Sequence, residues 1–347
     1  MDPTEVPTQR NAEPPGPVFV SGRQHSGNSV ITKILMQAEG CLGFIGDNGY
    51  WEHKNLINKV QYPAARADRA VRAMRFKENP ELGEAVRGHL PGWIRAHPDA
   101  DAREIYLEAM RYCTEISGNR FWLQKSTSYI FYADEILRAF PGSRIVYLMR
   151  NPYDLCASLK RRHARNQRRA DFLWGTLVGW KKGVRIAHAM QSRYPDRFRI
   201  FKYEDVVSKP SQSLPELFEF VGYAYREEYT NVPRVNTSDN PADWSGSKLG
   251  NDAGGGLTGF RINYYDTALT KVEKRAADML LPRDLVLETY PNLPHTRRSG
   301  HRKKTMWAIL LLAVSGIRFS LSQFGRYKKV PYKSRYIIER TLHRARA

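Results

Sequence analysis

The sequence predicts an α/β protein whose parallel sheet is flanked by helices. In residues 17–35, an apolar run of strand-forming residues leads through a turn rich in Gly and Ser into a segment with helical spacing. Short apolar runs at residues 120–125, at 144–149 and from 197 onward are each followed by a segment with the apolar spacing of a helix. Strands that alternate with helices are typical of a parallel sheet with helices on its faces.

Length and composition indicate a globular protein with a strongly basic tail. Its 347 residues can bury a full core, and its formal net charge is +20. From residue 296 onward there are fourteen Lys or Arg against one acid, so most of the excess charge belongs to this tail. Cys41, Cys113 and Cys156 show neither a pairing pattern nor metal-ligand spacing, which suggests a reducing compartment. Residues 1–16 are polar and Pro-rich without an apolar signal segment, and we expect a disordered leader.

The turn at residues 22–29 has the composition of an anion-binding loop. Successive backbone N–H groups in such a turn, together with the dipole of the following helix, can hold a phosphate-like anion. Gly22 and Gly27 stand five apart, as in the nucleotide-binding sequence GxxxxGK[ST], but Asn28 and Ser29 fill the last two positions. Because the lysine that reaches the β- and γ-phosphates is missing, we interpret the loop as a cradle for a ligand other than ATP or GTP. An ordinary tight turn is the alternative for this loop taken alone.

Residues 41–56 contain candidates for proton transfer. Glycines interrupt this segment, so we expect Asp47, Glu52 and His53 to lie on a loop or short turn. In a nucleotide-type α/β domain, the segment that leaves the first helix can return toward the mouth of the phosphate site. A carboxylate or imidazole there could act as a general base. The alternative is that all three are ordinary polar loop residues.

Two cations follow directly from predicted strands. Lys125 ends the strand at residues 120–125, and Arg150 follows the strand at residues 144–149. Ligands of open α/β sheets bind beyond the carboxyl ends of the strands. Ser158 comes eight residues after Arg150, one to two turns into the next helix, so the two side chains could converge on one anionic group. Structural salt bridges are the alternative for each cation.

Two further segments bear on ligand binding. The basic run at residues 160–169 is usually a solvated helix face, and attraction of an acidic ligand is the alternative. Residues 236–259 are rich in Ser, Asn, Asp and Gly, which predicts a flexible loop. Ser247, Lys248 and Arg261 lie in or beside this loop, which we expect to close over a bound nucleotide.

The tail over residues 296–347 contains an apolar run from residue 306 to 317, flanked on both sides by cations. Because roughly 20 apolar residues are needed to span a bilayer, this twelve-residue run is short for a transmembrane helix. We expect residues 302–329 to be able to lie on an anionic membrane surface, with a core helix or an oligomer contact as alternatives. The compact domain is predicted over residues 17–295, and the oligomeric state is open.

Four stretches carry a resemblance to a known family. FVSGRQHSGNS resembles the 5′-phosphosulfate loop, written GRxRSGTT, of sulfotransferases that use 3′-phosphoadenosine-5′-phosphosulfate (PAPS). RIVYLMRNPYDLCAS resembles their 3′-phosphate motif, in which an Arg and a Ser eight residues later grip the phosphate. FKYEDVVSKP resembles the RYEDLV segment, and WLQKST resembles the strand-end lysine of the tyrosylprotein and related branches. The motifs stand in the family order from residue 18 to about 210.

The resemblance implies a P-loop NTPase-like fold with helical insertions over the acceptor side, formed by residues 64–116. It implies that PAPS donates the sulfuryl group and that no metal takes part. An acceptor hydroxyl would attack sulfur in line with the leaving phosphate, whose developing charge is stabilised by fixed hydrogen-bond donors. The implied catalytic candidates are Asp47, Lys125, His25, Glu52 and His53, with Asp47 aligning best with the family's base. The predicted nucleotide-binding set is Gly22, Arg23, Gln24, His25, Ser26, Gly27, Asn28, Ser29, Arg150, Ser158, Tyr203, Ser247, Lys248 and Arg261.

Two positions depart from the family pattern. His25 stands where this branch has Arg and the cytosolic branch has Lys, and Asn28 replaces a Thr. A neutral His25 would weaken stabilisation of the transferring group, which leaves a slower enzyme or one that uses a protonated His25.

We therefore expect a cytoplasmic sulfotransferase, peripheral at the inner membrane surface if the tail binds lipid. The acceptor class stays open between a carbohydrate, a glycolipid and a small hydroxylated metabolite. The alternatives are a catalytically impaired nucleotide-binding or membrane-associated scaffold and a nucleotide kinase. The basic tail lacks a recognised nucleic-acid-binding motif, so no nucleic-acid partner is expected.

Overall fold

The computed structural model describes residues 16–165, 172–230, 262–291, 293 and 302–329. The chain divides into two compact units. The first comprises Met1–Gly22, Gly27–Leu148 and Ala187–Leu257, and the second comprises Arg23–Ser26, Met149–Ile186 and Thr258–Ala347. The Gly-rich loop at residues 22–29 therefore contributes residues to both units. The domain limits predicted at residues 17 and 295 stay a prediction.

A five-stranded parallel sheet forms the centre of the first unit. Its strands are β1 (Val18–Gly22), β2 (Cys41–Phe44), β3 (Phe121–Lys125), β4 (Arg144–Met149) and β5 (Phe198–Lys202). Their spatial order is β2-β3-β1-β4-β5. Val18 lies opposite both Leu123 and Arg144, so the strand that leads into the Gly-rich loop is the middle strand. The predicted α/β class with a parallel sheet is confirmed.

Helices account for most of the remaining described residues. In chain order the α-helices are α1 (Asn28–Leu35), α2 (Tyr50–Asn58), α3 (Pro63–Met74), α4 (Pro80–Ala96), α5 (Ala102–Ile116), α6 (Ala133–Ala139), α7 (Pro152–Arg165), α8 (Trp174–Arg193), α9 (Tyr203–Ser208), α10 (Pro210–Val221), α11 (Tyr265–Ala268), α12 (Lys271–Leu280), α13 (Arg283–Thr289) and α14 (Arg302–Lys329). The helices predicted within residues 64–116 are present as α3, α4 and α5. α3 packs against α2 and α4, and α4 packs against α5.

The prediction of a loop or short turn for residues 41–56 is wrong on both sides of Asp47. Residues 41–44 form β2, and residues 50–58 form α2, which carries Glu52 and His53. Gly43 lowers the strand propensity of β2, but it is required by packing, because a Cβ there would lie 1.9 Å from the Cγ of Met36. Close packing of the end of α1 on this strand therefore outweighs local propensity.

The last strand is also shorter than the sequence predicts. We expected it to end at Tyr203, Glu204 and Asp205, but β5 ends at Lys202 and these residues open α9. Two acidic side chains in the first turn of a helix interact favourably with its dipole, which favours the helical conformation here.

The two faces of β1 are buried against different partners. Val18 and Val20 pack with Ile31 and Ile34 of α1 in one apolar cluster, and all four side chains are fully buried or nearly so. On the opposite face Phe19 contacts the rings of Trp122, Tyr129 and Phe140 at centroid distances of 5.2, 5.2 and 6.0 Å. Alternation of side chains along a strand explains this division. Each fully buried side chain contributes about 1.5–3 kcal/mol, which anchors the loop that follows.

In the second unit, contacts at its first turn and near its middle hold α7 in place. Asn151 caps its first turn by accepting a hydrogen bond from the backbone N–H of Tyr153 at 2.9 Å. Asp154 is fully buried and accepts hydrogen bonds from the backbone N–H groups of Asn263 and Tyr265. Burial raises the pKa of Asp154, and these donors only partly offset that effect. Further along the helix, Lys160 forms an ion pair with a glutamate of α12 at 2.7 Å.

α14 is longer than the apolar run that predicts it. It extends over 28 residues, from Arg302 to Lys329, and packs against α12. Among the described helices, none combines the length and the apolar character that crossing a bilayer requires.

Candidate active site

The Gly-rich loop joins β1 to α1 through a tight turn. Within it, the backbone N–H of Ser26 donates to the carbonyl of Arg23 at 3.0 Å. Gly27 precedes α1 with φ of +92°, a conformation that favours glycine. A Cβ on Gly27 would lie 2.5 Å from the ring of Tyr203, the first residue of α9. This glycine is therefore required by its conformation and by a close neighbour.

Replacing Gly27 with Ala should destabilise the fold in two ways, through the strained backbone conformation and through a clash of the new Cβ with the Tyr203 ring. Gly118 supplies the matched control, because its φ is +67° and an added Cβ would meet nothing within 4 Å. We expect Gly118→Ala to lower the free energy of unfolding by about 1–2 kcal/mol, and Gly27→Ala to lower it by at least about 1 kcal/mol more. Urea unfolding of both variants measures the difference. Equal losses would show that the Tyr203 ring moves aside without cost.

Asn28, the residue that replaces the family Thr, stabilises the loop through hydrogen bonds within the first unit. Its side chain is buried, and its Nδ2 donates to the carbonyl of Gly22 at 3.0 Å. The backbone carbonyl of Asn28 accepts a hydrogen bond from the hydroxyl of Thr32 at 2.8 Å, one turn further along α1. The amide of Asn28 thus links the start of the loop to the start of the helix.

In the second unit, Arg150 and Ser158 contact the same loop residue. Arg150 is 4% exposed and its Nη1 donates to the backbone carbonyl of His25 at 2.8 Å. The Oγ of Ser158 lies 3.2 Å from Nδ1 of His25. His25 has φ of +71°, so the loop turns back at this residue. Arg150 and Ser158 thus converge on His25, and their convergence on an anionic group, expected from their spacing, stays a prediction.

Arg162 is a member of this cluster that sequence reasoning missed. Its Nη1 lies 3.5 Å from Nε2 of His25. Because a guanidinium only donates, this contact requires an unprotonated Nε2, and the proton of a neutral imidazole is then on Nδ1. Nδ1–H can donate to the Oγ of Ser158, whose own O–H is left to donate to another acceptor. His25, Arg150, Ser158 and Arg162 form a candidate phosphate site, and we call them the phosphate-binding group.

One signal in the sequence could have pointed to Arg162. It follows Ser158 by four residues on α7, and side chains four apart lie on the same face of a helix. It stands inside a run of cations at residues 160–169, where the position that contacts His25 does not differ in type from its neighbours.

Two other loop side chains of the second unit have distinct environments. The Nη2 of Arg23 donates to the carbonyl of Gly175 at 2.6 Å, and its guanidinium lies against Gly179 of the same helix, α8. Arg23, a member of the predicted nucleotide-binding set, is thus held by α8. The hydroxyl of Ser26 is fully buried and has no hydrogen-bond partner among the residues that the structure describes.

In the first unit, Lys125 and Asp47 form an ion pair. The Nζ of Lys125 lies 3.0 Å from Oδ1 of Asp47, and the side chains are 7% and 48% exposed respectively. The pair is braced by the backbone, since the N–H of Asn48 donates to the carbonyl of Lys125 and Ser126 Oγ donates to the carbonyl of Asn48. A buried cation thus meets a carboxylate that solvent and small molecules can reach. We call these two residues the lysine–aspartate pair.

Glu52 is the second carboxylate near this pair, and it lies on α2. Burial raises the pKa of the Tyr129 phenol well above its usual value, and the carboxylates of Asp47 and Glu52 both add to this effect. Asp47 and Glu52 therefore both lie close enough to this buried phenol to affect its pKa. His53 is the next residue on α2, and its side chain is half-buried.

Residues 17–227, more than half of the chain, match the model of the family described as the sulfotransferase family. The chain belongs to the sulfotransferase family. A search among curated proteins finds no significant match for this sulfotransferase. Family membership makes sulfuryl transfer its class of activity and identifies it as a transferase.

Solved structures include several remote relatives of this sulfotransferase. The sulfotransferase domain from the curacin biosynthetic pathway is 16% identical, with a TM-score of 0.44 over 87% of this chain and 99% of that chain. The sulfotransferase domain from the Synechococcus PCC 7002 olefin synthase is 18% identical, with a TM-score of 0.42 over 75% and 97%. Retinol dehydratase, solved in a complex with retinol and PAP, is 15% identical, with a TM-score of 0.38 over 82% and 84%.

The remaining predicted residues of this sulfotransferase fall into two classes. Gln24 is exposed at the turn of the loop, and Ser29 is half-buried in the first turn of α1. Ser247, Lys248 and Arg261 lie outside the described residues. Within the described ranges, no three His, Cys, Asp or Glu side chains stand close enough together to hold a metal ion. The expectation that no metal takes part stays a prediction.

Proposed function

We propose that this sulfotransferase moves a sulfuryl group from PAPS to a hydroxyl acceptor. The observation that carries the proposal is the convergence of Arg150 and Ser158 on His25 of the Gly-rich loop. A buried guanidinium and a hydroxyl on one loop residue are the donors that a phosphate monoester requires. PAPS, when bound, supplies the sulfuryl group and leaves as 3′-phosphoadenosine 5′-phosphate (PAP).

The loop also offers a hydroxyl that fits an anion. A buried polar group without a partner costs about 1–3 kcal/mol, so it is rarely left unsatisfied without a reason. Ser26 Oγ is such a group among the described residues, and it belongs to the loop whose sequence resembles a phosphosulfate cradle. Donation of this O–H to an oxygen of the donor nucleotide would remove the cost.

Arg162 compensates for the unusual His25. The family pattern places a cation at residue 25, and here His25 fits its contacts in the neutral form. The positive charge is supplied instead by Arg162, which reaches His25 from α7. Because the Oγ of Ser158 can accept a hydrogen bond from Nδ1–H of His25, its own O–H is left to donate to an incoming phosphate oxygen. The departure at residue 25 therefore need not reduce the positive charge of the phosphate-binding group.

In the first unit, the lysine–aspartate pair supplies the two groups that transfer requires. The ammonium of Lys125 stabilises the negative charge that develops on the leaving phosphate. Asp47 takes the proton of the acceptor hydroxyl. A carbohydrate, a glycolipid and a small hydroxylated metabolite all present such a hydroxyl, and the pair itself does not distinguish them.

Replacing Arg150 with Ala should weaken PAP binding by about 10- to 100-fold, because a hydrogen bond to a charged group contributes about 1.5–3 kcal/mol. Ser158→Ala and Arg162→Ala should each weaken it by about 3- to 10-fold. Isothermal titration calorimetry measures all three variants.

Two controls isolate the 3′-phosphate. Arg193→Ala also removes one positive charge, but Arg193 pairs with Asp134 at 2.8 Å, outside the phosphate-binding group. This variant should bind PAP as the unmodified protein does. Adenosine 5′-phosphate, which lacks the 3′-phosphate, should bind equally to all variants. Unchanged PAP affinity in both Arg150→Ala and Ser158→Ala would refute the assignment.

A further inference from the structure

The helix α14 is held to the second unit by one face. On this face Ala308, Leu312 and Ser315 are buried, and the helix packs against α12. The Oγ of Ser315 accepts a hydrogen bond from the backbone N–H of Trp174 at 3.3 Å. Gly316 lies under the Trp174 ring, where an added Cβ would stand 3.5 Å from the indole. The rotation of α14 about its axis is therefore fixed by contacts with α12 and the start of α8.

The opposite face of α14 is apolar and exposed. Its large side chains are each more than half exposed, namely Met306 (61%), Trp307 (56%), Ile309 (53%), Leu310 (51%), Ile317 (59%) and Leu321 (63%). Met306, Leu310, Ile317 and Leu321 follow one another at intervals of four and seven residues, which places them in one stripe along the helix. Isolated apolar side chains are common on protein surfaces, but a contiguous stripe marks an interaction surface.

The charges of α14 identify the kind of partner that fits this stripe. The helix sequence contains seven Lys or Arg and no Asp or Glu. Three of the cations form its first turn, Arg302, Lys303 and Lys304, and Arg318 follows the apolar run. A second copy of the chain that paired through this face would bring another α14, with its own seven cations and no acid, next to the first. Repulsion between the like charges of the two helices opposes such pairing. An anionic lipid surface offers both the apolar layer and the opposite charge.

The length of the apolar run at residues 306–317 decides how the helix would lie. Its twelve residues rise by about 18 Å, well short of a hydrocarbon core of about 30 Å. A helix with a short apolar stripe and flanking cations lies in the plane of the interface, with the stripe turned toward the acyl chains. Trp307 stands at the cationic end of the stripe, and indole rings are enriched at this level of a bilayer.

We propose that α14 docks this protein on an anionic lipid surface through the stripe of Met306, Leu310, Ile317 and Leu321. The buried face of the helix stays on α12, so docking needs no change in the second unit. The apolar stripe supplies the attachment, and the flanking cations select for anionic headgroups. None of the four stripe residues is among the residues proposed for sulfuryl transfer.

Sedimentation of the full-length protein with vesicles tests the proposal. Vesicles of phosphatidylcholine with 30% phosphatidylglycerol should bind the protein at least about ten times more strongly than pure phosphatidylcholine, and binding should weaken as salt rises. The double variant Leu310→Ser with Ile317→Ser should lose at least about ten-fold in affinity for the anionic vesicles. Unchanged PAP affinity of this variant would show that it is folded.

The matched control removes two exposed apolar side chains from another helix. Leu107 and Ile116 of α5 are 44% and 45% exposed, so Leu107→Ser with Ile116→Ser makes the same chemical change elsewhere. This control should bind anionic vesicles as the unmodified protein does. Equal loss in both double variants, equal binding to both lipid compositions, or no binding to either would overturn the proposal. So would a dimer in light scattering that only the Leu310 and Ile317 changes dissociate.

Discussion

Replacing Lys125 with Ala should lower kcat for sulfuryl transfer by about 10²- to 10³-fold, the usual effect of removing one preorganised donor from developing negative charge. The side chain is suited to this role, because it ends β3, is 7% exposed and is held at 3.0 Å from Asp47. A charge fixed in a buried environment acts more strongly than one in water and needs no reorganisation during the reaction. PAP affinity should fall much less than kcat, since the phosphate-binding group is intact.

The measurement is transfer of labelled sulfuryl from PAPS to the best acceptor found in a panel of hydroxylated compounds. Lys54→Ala is the matched control, because Lys54 is a lysine of the same unit that pairs with a different carboxylate, that of Glu135. It should leave kcat within about two-fold. A Lys125→Ala enzyme with full kcat would remove Lys125 from the mechanism. If the unmodified protein binds PAP tightly but transfers to no acceptor, a nucleotide-binding scaffold is the better description.

Most of the sheet could be predicted because each of these strands can be recognised from a short stretch of its own sequence. β1, β3 and β4 are apolar runs that end at a polar or Gly-rich segment, and such runs are visible within a window of a few residues. β2 could not be predicted from its own residues. Its Gly43 is unfavourable for a strand taken alone, and only the close approach of Met36 shows why glycine is needed. The formation of β2 therefore depends on packing against residues outside the strand.

The site was predictable to the extent that it lies at strand ends. Gly22, Lys125 and Arg150 could be placed because the carboxyl ends of parallel strands are where such sheets bind ligands. The partners of these residues could not be placed. The ion pair between Asp47 and Lys125 joins residues 78 positions apart, and the contact between Arg162 and His25 joins residues 137 positions apart. Distances of this kind depend on the whole fold, and no local pattern encodes them.

Replacing Asp47 with Asn should lower kcat by about 10²- to 10⁴-fold if Asp47 is the general base. Asn has the same shape and keeps an oxygen that can accept from the Lys125 ammonium, so the local structure should persist. The rival bases are tested in the same way. Glu52→Gln and His53→Ala should each leave kcat within about ten-fold, and a larger loss in either variant, with full turnover in Asp47→Asn, would transfer the role to that residue.

A second measurement separates proton transfer from positioning, because Asp47 contacts Lys125 directly and could act only by holding it. Acceptors whose hydroxyl groups are increasingly acidic need less help from a base, so the loss caused by Asp47→Asn should shrink along such a series. A positioning role affects the leaving-group side of the reaction, and its loss would be the same for every acceptor. The Lys125→Ala enzyme provides that reference, since its loss should not depend on acceptor acidity. Parallel slopes for the two variants would therefore make Asp47 a positioning residue, and a shrinking loss for Asp47→Asn alone would make it the base.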